Sequence, residues 1–241
     1  MLNQLLEGDC LTLLPTLPSQ SVDMILTDLP YGSTNNSWDQ PIPLSLLWPE
    51  YLRVITPNGA MVFTSQGRFT ADLILSNARY FRYKWIWVKS KPTNFLNAKR
   101  QPLRKHEDIC VFYKKPPVYH PQMVEGKPYN KGLRKDQPTG SYRSFSPTVV
   151  KSKGSRYPTD VIYFPTAEAE GPVYHPTQKP VELGRYLIRT YTDPGAVVLD
   201  NAFGSGSFLV AAALEGRKYI GIEKEKEYVE VARERLREAS P

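Results

Sequence analysis

Short apolar runs alternate with amphipathic stretches along most of the chain. Runs of strand length lie at residues 2–6, 22–28, 60–64, 82–89, 108–114, 196–200 and 218–223. Stretches with helical spacing or a helix-forming composition lie at residues 44–55, 69–78, 181–191 and 208–215. Strands that alternate with helices are typical of a mostly parallel sheet with helices on both faces, so we predict an α/β fold.

The middle of the chain does not follow this pattern. Residues 115–170 show no clear period, and we predict an irregular insertion there. The flanking residues 1–114 and 171–241 would then be two halves of one core. A chain of 241 residues, 41% of them hydrophobic, is long enough for one substantial domain that carries such an insertion.

Several classes of protein are disfavoured by the composition. No apolar run approaches the ~18 residues of a membrane span, and the N-terminus lacks a signal-peptide pattern. Cys10 and Cys110 lie in apolar surroundings, which predicts buried thiols in a reducing cytoplasm. The three histidines are scattered, so we expect no metal site. We therefore expect a cytoplasmic protein without a membrane partner.

Positive charge is concentrated in the middle of the chain. Between Arg82 and Arg156 there are 18 Lys/Arg and 4 acidic residues, and aromatic residues are interspersed among them. Such segregation indicates a surface that contacts nucleic-acid phosphates, although a basic insertion can also be an ordinary solvated surface. The candidate contacts are Lys99, Arg100, Arg104, Lys105, Arg134, Lys135, Arg143, Lys151, Lys153 and Arg156.

The tetrapeptide Asp-Leu-Pro-Tyr at residues 28–31 directly follows a predicted buried strand. Asp28 offers a carboxylate, Leu29 a backbone carbonyl and Tyr31 a flat ring, a combination suited to an amino group on a planar base. Pro30 stiffens the loop and has no N–H to compete for these acceptors. An ordinary Asp-X-Pro turn at the end of a strand is the alternative.

A second candidate site follows the strand at residues 196–200. The turn Asn-Ala-Phe-Gly-Ser-Gly-Ser at residues 201–207 leads into a helix, and its glycines allow the backbone to approach a ligand closely. The next strand ends in Glu223, near the offset at which an acid binds a ribose in a βαβ nucleotide site. Leu209 replaces the third glycine of the dinucleotide fingerprint, which disfavours NAD and FAD.

Just upstream, His-Pro-Thr-Gln-Lys-Pro at residues 175–180 precedes the predicted helix at residues 181–191. Thr177 and Lys179 make this a candidate carboxylate-binding loop. An ordinary helix cap has the same pattern.

The order of these three motifs resembles the β-class of S-adenosylmethionine (SAM)-dependent DNA amino-methyltransferases, and the resemblance extends over nearly the whole chain. Residues 28–31 are similar to the family's [D/N/S]-P-P-[Y/F/W] loop, with Leu29 in place of the first proline. Residues 94–98 and 102–107 are similar to its phage and prophage branch. The resemblance implies a Rossmann-like methyltransferase fold with the catalytic loop before the cofactor loop, and a target-recognition role for the insertion.

The resemblance also implies residue roles. Asp28, Leu29, Pro30 and Tyr31 would be catalytic, with Asp28 also beside the cofactor. Glu223 would bind the ribose, Asp9 the adenine end with Cys10 beside it, and Thr177 with Lys179 the carboxylate. The remaining expected cofactor contacts come from the two loops: His175, Gln178, Asn201, Phe203, Gly204, Ser205 and Gly206. Asn201-Ala202 departs from the usual residues before the glycines.

An aspartate at position 28 resembles the adenine-N6 enzymes more than the cytosine-N4 enzymes, which often carry Ser there. We therefore expect N6-methylation of adenine in double-stranded DNA. N4-methylation of cytosine stays open, as does a catalytically inactive DNA-binding protein on the same scaffold. The resemblance also allows a homodimer and a cognate restriction endonuclease as partners.

Overall fold

The computed structural model describes residues 2–32, 39–134 and 148–239, with the side chain of Arg134 left out. The strands are β1 (Gln4–Glu7), β2 (Val22–Thr27), β3 (Ile55–Ser65), β4 (Phe81–Thr93), β5 (Arg104–Phe112), β6 (Val124–Glu125), β7 (Tyr129–Arg134), β8 (Thr148–Ser152), β9 (Ser155–Arg156), β10 (Val161–Tyr163), β11 (Val197–Asp200) and β12 (Lys218–Glu223). The α-helices are α1 (Cys10–Leu13), α2 (Leu44–Val54), α3 (Arg68–Ser76), α4 (Val181–Tyr191), α5 (Ser207–Leu214) and α6 (Lys226–Ala239).

Eight of these strands form one sheet in the order β1-β12-β11-β2-β3-β5-β4-β10. Strand β5 pairs antiparallel with both of its neighbours, and the other pairs in the sheet are parallel. The mostly parallel α/β sheet predicted from the sequence is thereby confirmed. Because parallel strands share a direction, their carboxyl ends meet at one edge.

Helices cover both faces of the sheet. On one face, Trp48 and Tyr51 of α2 pack on Phe63 and Phe112 of the sheet. On the other face, the apolar side of α4 and the small residues of α5 pack over Trp85 and Trp87. Each fully buried large apolar side chain contributes about 1.5–3 kcal/mol, so these two layers stabilise the sheet behind its loop edge.

The chain divides into two compact units, Met1–His120 with Asp160–Pro241, and Pro121–Thr159. The second unit is narrower than the predicted insertion at residues 115–170, because β10 pairs with β4 in the main sheet. Its described part contains two short antiparallel pairs, β6 with β9 and β7 with β8. Among the described residues, no helix is both long and apolar enough to cross a membrane.

Candidate active site

A cavity of about 660 Å³ opens at the loop edge of the main sheet, within the larger unit. Its volume falls inside the range of roughly 300–1,000 Å³ that is usual for small-molecule sites. It is lined by loops that follow β1, β2, β11 and β12 and by the loop before α4. The predicted catalytic and cofactor-binding residues that line it are Asp9, Cys10, Asp28, Leu29, Pro30, Tyr31, His175, Thr177, Gln178, Lys179, Asn201, Phe203, Gly204, Ser205 and Glu223.

The carboxylate of Asp28 is held by three donors from three parts of the fold. Its Oδ1 accepts hydrogen bonds from the hydroxyls of Tyr31, at 2.7 Å, and Thr64. Its Oδ2 accepts from Nζ of Lys179 at 2.5 Å. A carboxylate has about four acceptor positions, so with these donors from the described residues one position stays open, on Oδ2.

Lys179 links Asp28 to a second carboxylate. Its Nζ lies 3.6 Å from Oε2 of Glu107, whose Oε1 accepts a hydrogen bond from Lys89 at 3.0 Å. Burial lowers the pKa of Lys179, but the charges of Asp28 and Glu107 outweigh burial and raise that pKa above its usual value. Lys179 is therefore a buried cation fixed between two acids. Together, Asp28, Lys179, Glu107 and Lys89 form a row of alternating charges.

The ring of Tyr31 stacks on Phe69 of α3, with ring centroids 4.9 Å apart and planes 25° apart. Nζ of Lys179 lies 5.7 Å from the same ring. Burial, followed by the charges of Asp28 and Glu107, raises the pKa of Tyr31 well above its usual value. The Tyr31 hydroxyl thus stays protonated and remains a donor to Asp28.

The glycine turn after β11 is tied to the end of β12. The backbone N–H of Gly204 donates to Oε2 of Glu223 at 2.9 Å, and Oε1 accepts from the N–H groups of Lys224 and Glu225. With these donors, and counting only the part of the chain that the structure describes, one acceptor position of Glu223 stays open on Oε2. A Cβ added at Gly204 would meet the ring of His175 at 3.6 Å, which is ordinary contact.

The loop before α4 contacts both the glycine turn and the Asp-Leu-Pro-Tyr loop. Oε1 of Gln178 accepts from the hydroxyl of Ser205 at 3.0 Å, while the next residue, Lys179, reaches Asp28. His175 packs on the ring of Tyr228 at 4.5 Å, and its Nδ1 accepts from the backbone N–H of Thr177 at 3.2 Å. Burial lowers the pKa of His175, which favours its neutral form and a structural part in this loop.

Three buried polar atoms in the cavity wall have no hydrogen-bond partner among the described residues. They are Nδ2 of Asn94, Nδ2 of Asn201 and Oε2 of Glu107, and the last of these is ion-paired with Lys179. Oδ1 of Asn201 is fixed by the hydroxyl of Tyr51 at 2.8 Å, so the side chain is held with its amide nitrogen unsatisfied. Buried polar atoms are nearly always paired, so the two amide nitrogens indicate a polar ligand in the cavity.

Gly206 and most of the predicted DNA contacts lie outside the lining of this cavity, whereas Arg104 is part of it. Gly206 is not part of its lining, and a Cβ added there would lie 2.8 Å from Cβ of Ala232 in α6. Arg104 lines the cavity, while Lys99, Arg100 and Lys105 lie exposed between or on β4 and β5. Of the insertion residues, Lys151 and Lys153 are exposed.

Arg156 has a structural part in the second unit. Its guanidinium lies 4.5 Å from the ring centroid of Tyr129 and donates to Ser152 and to the carbonyl of Lys127. Lys135, Arg143 and the side chain of Arg134 lie outside the described residues.

Sequence reasoning missed Thr64, Lys89 and Glu107. Thr64 lies near the end of β3, so the strand-end rule that found Asp28 could also have found it. Glu107 lies near the beginning of β5, and it reaches the same edge because β5 runs antiparallel. No sequence signal of comparable strength marks Lys89, which ends an apolar run like many surface lysines.

The chain matches the family model described as DNA methylase (N6_N4_Mtase) over residues 22–234. The type II methyltransferase M.HinfI of Haemophilus influenzae is 28% identical over 274 aligned residues, covering 100% of this chain and 70% of that protein. The DNA adenine methyltransferase YhdJ of Escherichia coli K12 is 29% identical, covering 98% of this chain and 83% of its own length.

Solved structures agree with this match. The M1.HpyAVI–SAM complex superposes with a TM-score of 0.66 at 25% identity, covering 97% of this chain and 98% of that one. The cytosine-N4-specific PvuII DNA methyltransferase has a TM-score of 0.67 at 15% identity, covering 98% and 86%, and shows likeness of fold alone. Because the family model spans most of the chain, this protein belongs to the N6/N4 DNA methylase family of SAM-dependent DNA amino-methyltransferases.

Proposed function

We propose that this DNA amino-methyltransferase acts on the exocyclic N6 of adenine in double-stranded DNA. The observation that carries this choice is Asp28, a carboxylate at the position where the cytosine-N4 enzymes often have Ser. Its remaining acceptor position on Oδ2 opens on the cavity and suits an amino hydrogen. The similarity to a protein named DNA adenine methyltransferase supports the same choice.

The residues of the cavity fit SAM. The open acceptor position on Glu223 suits a ribose hydroxyl. Nδ2 of Asn201 has no hydrogen-bond partner among the described residues, so it suits an acceptor atom of the cofactor. Asp9 caps α1 through Oδ1, and we assign it to the adenine end together with Cys10. When bound, SAM supplies the methyl group from its sulfonium, so the protein has to supply alignment.

Alignment of the target amino group falls to the loop after β2. A stacked base is out of reach for such a loop, so the nucleotide has to be turned out of the duplex. Asp28 Oδ2 and the carbonyl of Leu29 would each accept one amino hydrogen, which orients the nitrogen lone pair toward the methyl donor. The ring of Tyr31, backed by Phe69, offers the base a flat apolar surface.

The proton released by the methylated nitrogen needs an acceptor, and Asp28 is the carboxylate in contact. Lys179 holds the carboxylate of Asp28 in place through a charge-assisted hydrogen bond of 2.5 Å to Oδ2. We therefore assign Lys179 to the positioning of Asp28. Thr177 remains a candidate for the carboxylate of the cofactor.

Mass spectrometry of nucleosides tests the proposal, with unmethylated plasmid DNA incubated with the protein and SAM. We expect N6-methyldeoxyadenosine, and none with Asp28→Ala. The DNA affinity of this variant should stay within about a few-fold, because Asp28 lies in the cavity and most protein–DNA hydrogen bonds go to phosphates and sugars. N4-methyldeoxycytidine would overturn the choice of base and retain the site. No methylated base would overturn the enzymatic function, and activity of Asp28→Ala would refute the catalytic loop.

A further inference from the structure

The connection between β4 and β5 presents two adjacent apolar side chains to solvent. Phe95 is 75% exposed and Leu96 is 85% exposed. Scattered surface apolar residues are common, but an adjacent pair that avoids the core is a mark of an interaction surface. Leu103, at the other end of the same connection, is 43% exposed.

An ordered turn holds these side chains in solvent. Asn94 adopts the left-handed conformation at φ 71°, which asparagine tolerates, and starts a 3-10 turn over Phe95–Asn97. Backbone hydrogen bonds join Asn97 to Asn94, Ala98 to Phe95 and Arg100 to Asn97. The side chains of Asn97 and Asn94 are also bonded, at 2.8 Å. The turn therefore offers Phe95 and Leu96 in a fixed place.

The turn borders the cavity. Thr93 and Arg104, which pair at the ends of β4 and β5, both line it, and so does Asn94 with its unsatisfied Nδ2. Phe95 follows Asn94 directly in the chain, so the apolar pair stands at the rim of the cavity that is proposed to receive the target base.

The charge around the turn indicates which kind of partner would bind there. Residues 89–106 contain six Lys/Arg and no acidic residue. Apolar side chains within such a basic segment suit DNA, where the cations meet phosphates and an apolar wedge can enter between base pairs. A protein partner or a second copy of this chain would have to place an acidic surface against the same segment.

We infer that Phe95 and Leu96 form a wedge that enters the DNA stack and occupies the gap left by the turned-out base. This inference rests on the proposed function, because the gap arises only if a base leaves the duplex. The wedge stabilises the open duplex by replacing lost base stacking, while Arg104 and its basic neighbours hold the backbone nearby.

The test compares Phe95→Ala/Leu96→Ala with the wild type on two oligonucleotide duplexes carrying the methylation site mapped on genomic DNA. One duplex is fully paired, and the other has a mismatch opposite the target base, which lowers the cost of turning it out. The matched control is Leu75→Ala, because Leu75 is also 75% exposed and lies outside the cavity.

We expect the double variant to lose about 10-fold or more in kcat/KM on the paired duplex and less than about 3-fold on the mismatched one. Leu75→Ala should match the wild type on both, and thermal unfolding should show both variants folded.

Equal activity of the double variant and the wild type on the paired duplex would overturn the wedge. So would an equal loss on both duplexes, or a loss explained by dissociation of a dimer in sedimentation. A wild-type protein without methyl transfer would contradict the proposed function itself, a result that is distinct from failure of the wedge alone.

Discussion

A single ammonium group, that of Lys179, lies between the carboxylates of Asp28 and Glu107. A cofactor-binding lysine would be expected to point at the cofactor's carboxylate, whereas this one is engaged by an acid of the catalytic loop at 2.5 Å. Since this charge-assisted hydrogen bond fixes one oxygen of the carboxylate, Lys179 should govern how Asp28 meets the target amino group.

We predict that Lys179→Met lowers kcat on the order of 100-fold, with a much smaller change in KM for SAM. The loss arises because Asp28 is no longer held by its hydrogen bond to Lys179. Lys179→Arg, which keeps a cationic donor beside Asp28, should restore much of kcat. A large rise in KM for SAM with unchanged kcat would instead assign Lys179 to the cofactor's carboxylate.

Asp200 is a second residue whose environment has a measurable consequence. It is 2% exposed, and its Oδ1 accepts from the hydroxyl of Thr27 at 2.7 Å. Burial raises the pKa of Asp200 from 3.8 to about 7. The folded state therefore holds this proton more tightly than the unfolded chain, so the stabilisation is complete below about pH 4 and is lost as the pH rises through about 7.

We predict that the free energy of unfolding of the wild type falls between pH 5 and pH 8, on the order of a few kcal/mol at most. In Asp200→Asn this fall should be absent. Urea unfolding at the two pH values measures this difference. The half-exposed Asp72, changed to Asn, is the control and should keep the wild-type dependence. The same slope in Asp200→Asn as in the wild type would contradict the prediction.

At the scale of elements, the glycine turn before α5 has two different glycines. Gly204 faces the cavity, but Gly206, at φ 79°, leaves room for Ala232 of α6. The turn therefore fixes where α6 packs as well as where a ligand can approach.

We predict that Gly206→Ala lowers the free energy of unfolding by about 2–4 kcal/mol, the sum of backbone strain and the contact with Ala232. Gly216→Ala is the matched control, because Gly216 has φ 67° but open space around its Cα, and it should cost only about 1–2 kcal/mol. Calorimetry together with SAM titration separates the roles. Equal losses of unfolding free energy in the two variants would exclude the α6 contact. A loss of SAM affinity without a loss of stability would instead assign Gly206 to the cofactor site.

Element positions also decide how far the site could be predicted from the sequence. Asp28, Asn201 and Glu223 each follow or end a parallel strand, and the apolar runs indicate where those strands end. Glu107 escaped that rule because the direction of β5 is set by tertiary pairing, which local pattern does not encode. Likewise β10 is only three residues long, too short for a period to stand out from the insertion around it.

At the scale of the whole molecule, the formal net charge of +7 combines a basic middle with a mildly acidic remainder. Among the predicted DNA contacts in the described part of the insertion, Lys151 and Lys153 are exposed and suit contacts with DNA phosphates. Charge counting could not separate them from Arg156, which is largely occupied within its own unit.

We predict that Lys151→Gln/Lys153→Gln weakens DNA binding and reduces the slope of log K against log salt by about 1.8, at about 0.9 for each phosphate contact. Fluorescence anisotropy at several salt concentrations measures the slope. Lys218→Gln/Lys226→Gln removes the same charge from exposed positions outside the basic segment and should leave the slope unchanged. Equal slopes for both pairs would place the DNA surface elsewhere.

The pairing of β1 with β12 has a consequence for the order of the motifs. Leu5 of β1 packs against an apolar cluster that includes Val229 and Leu236 of α6, and β1 and α6 are in contact, so the first and last core elements are neighbours in space. A circular permutant joined there by a short linker and opened within residues 121–159 would keep every strand pair of the main sheet. It would carry the glycine turn before the Asp-Leu-Pro-Tyr loop, since β11 and β2 are adjacent whichever comes first. The linear order of the motifs is thus a property of where the backbone is cut, and a permutant of this kind should retain the same active site.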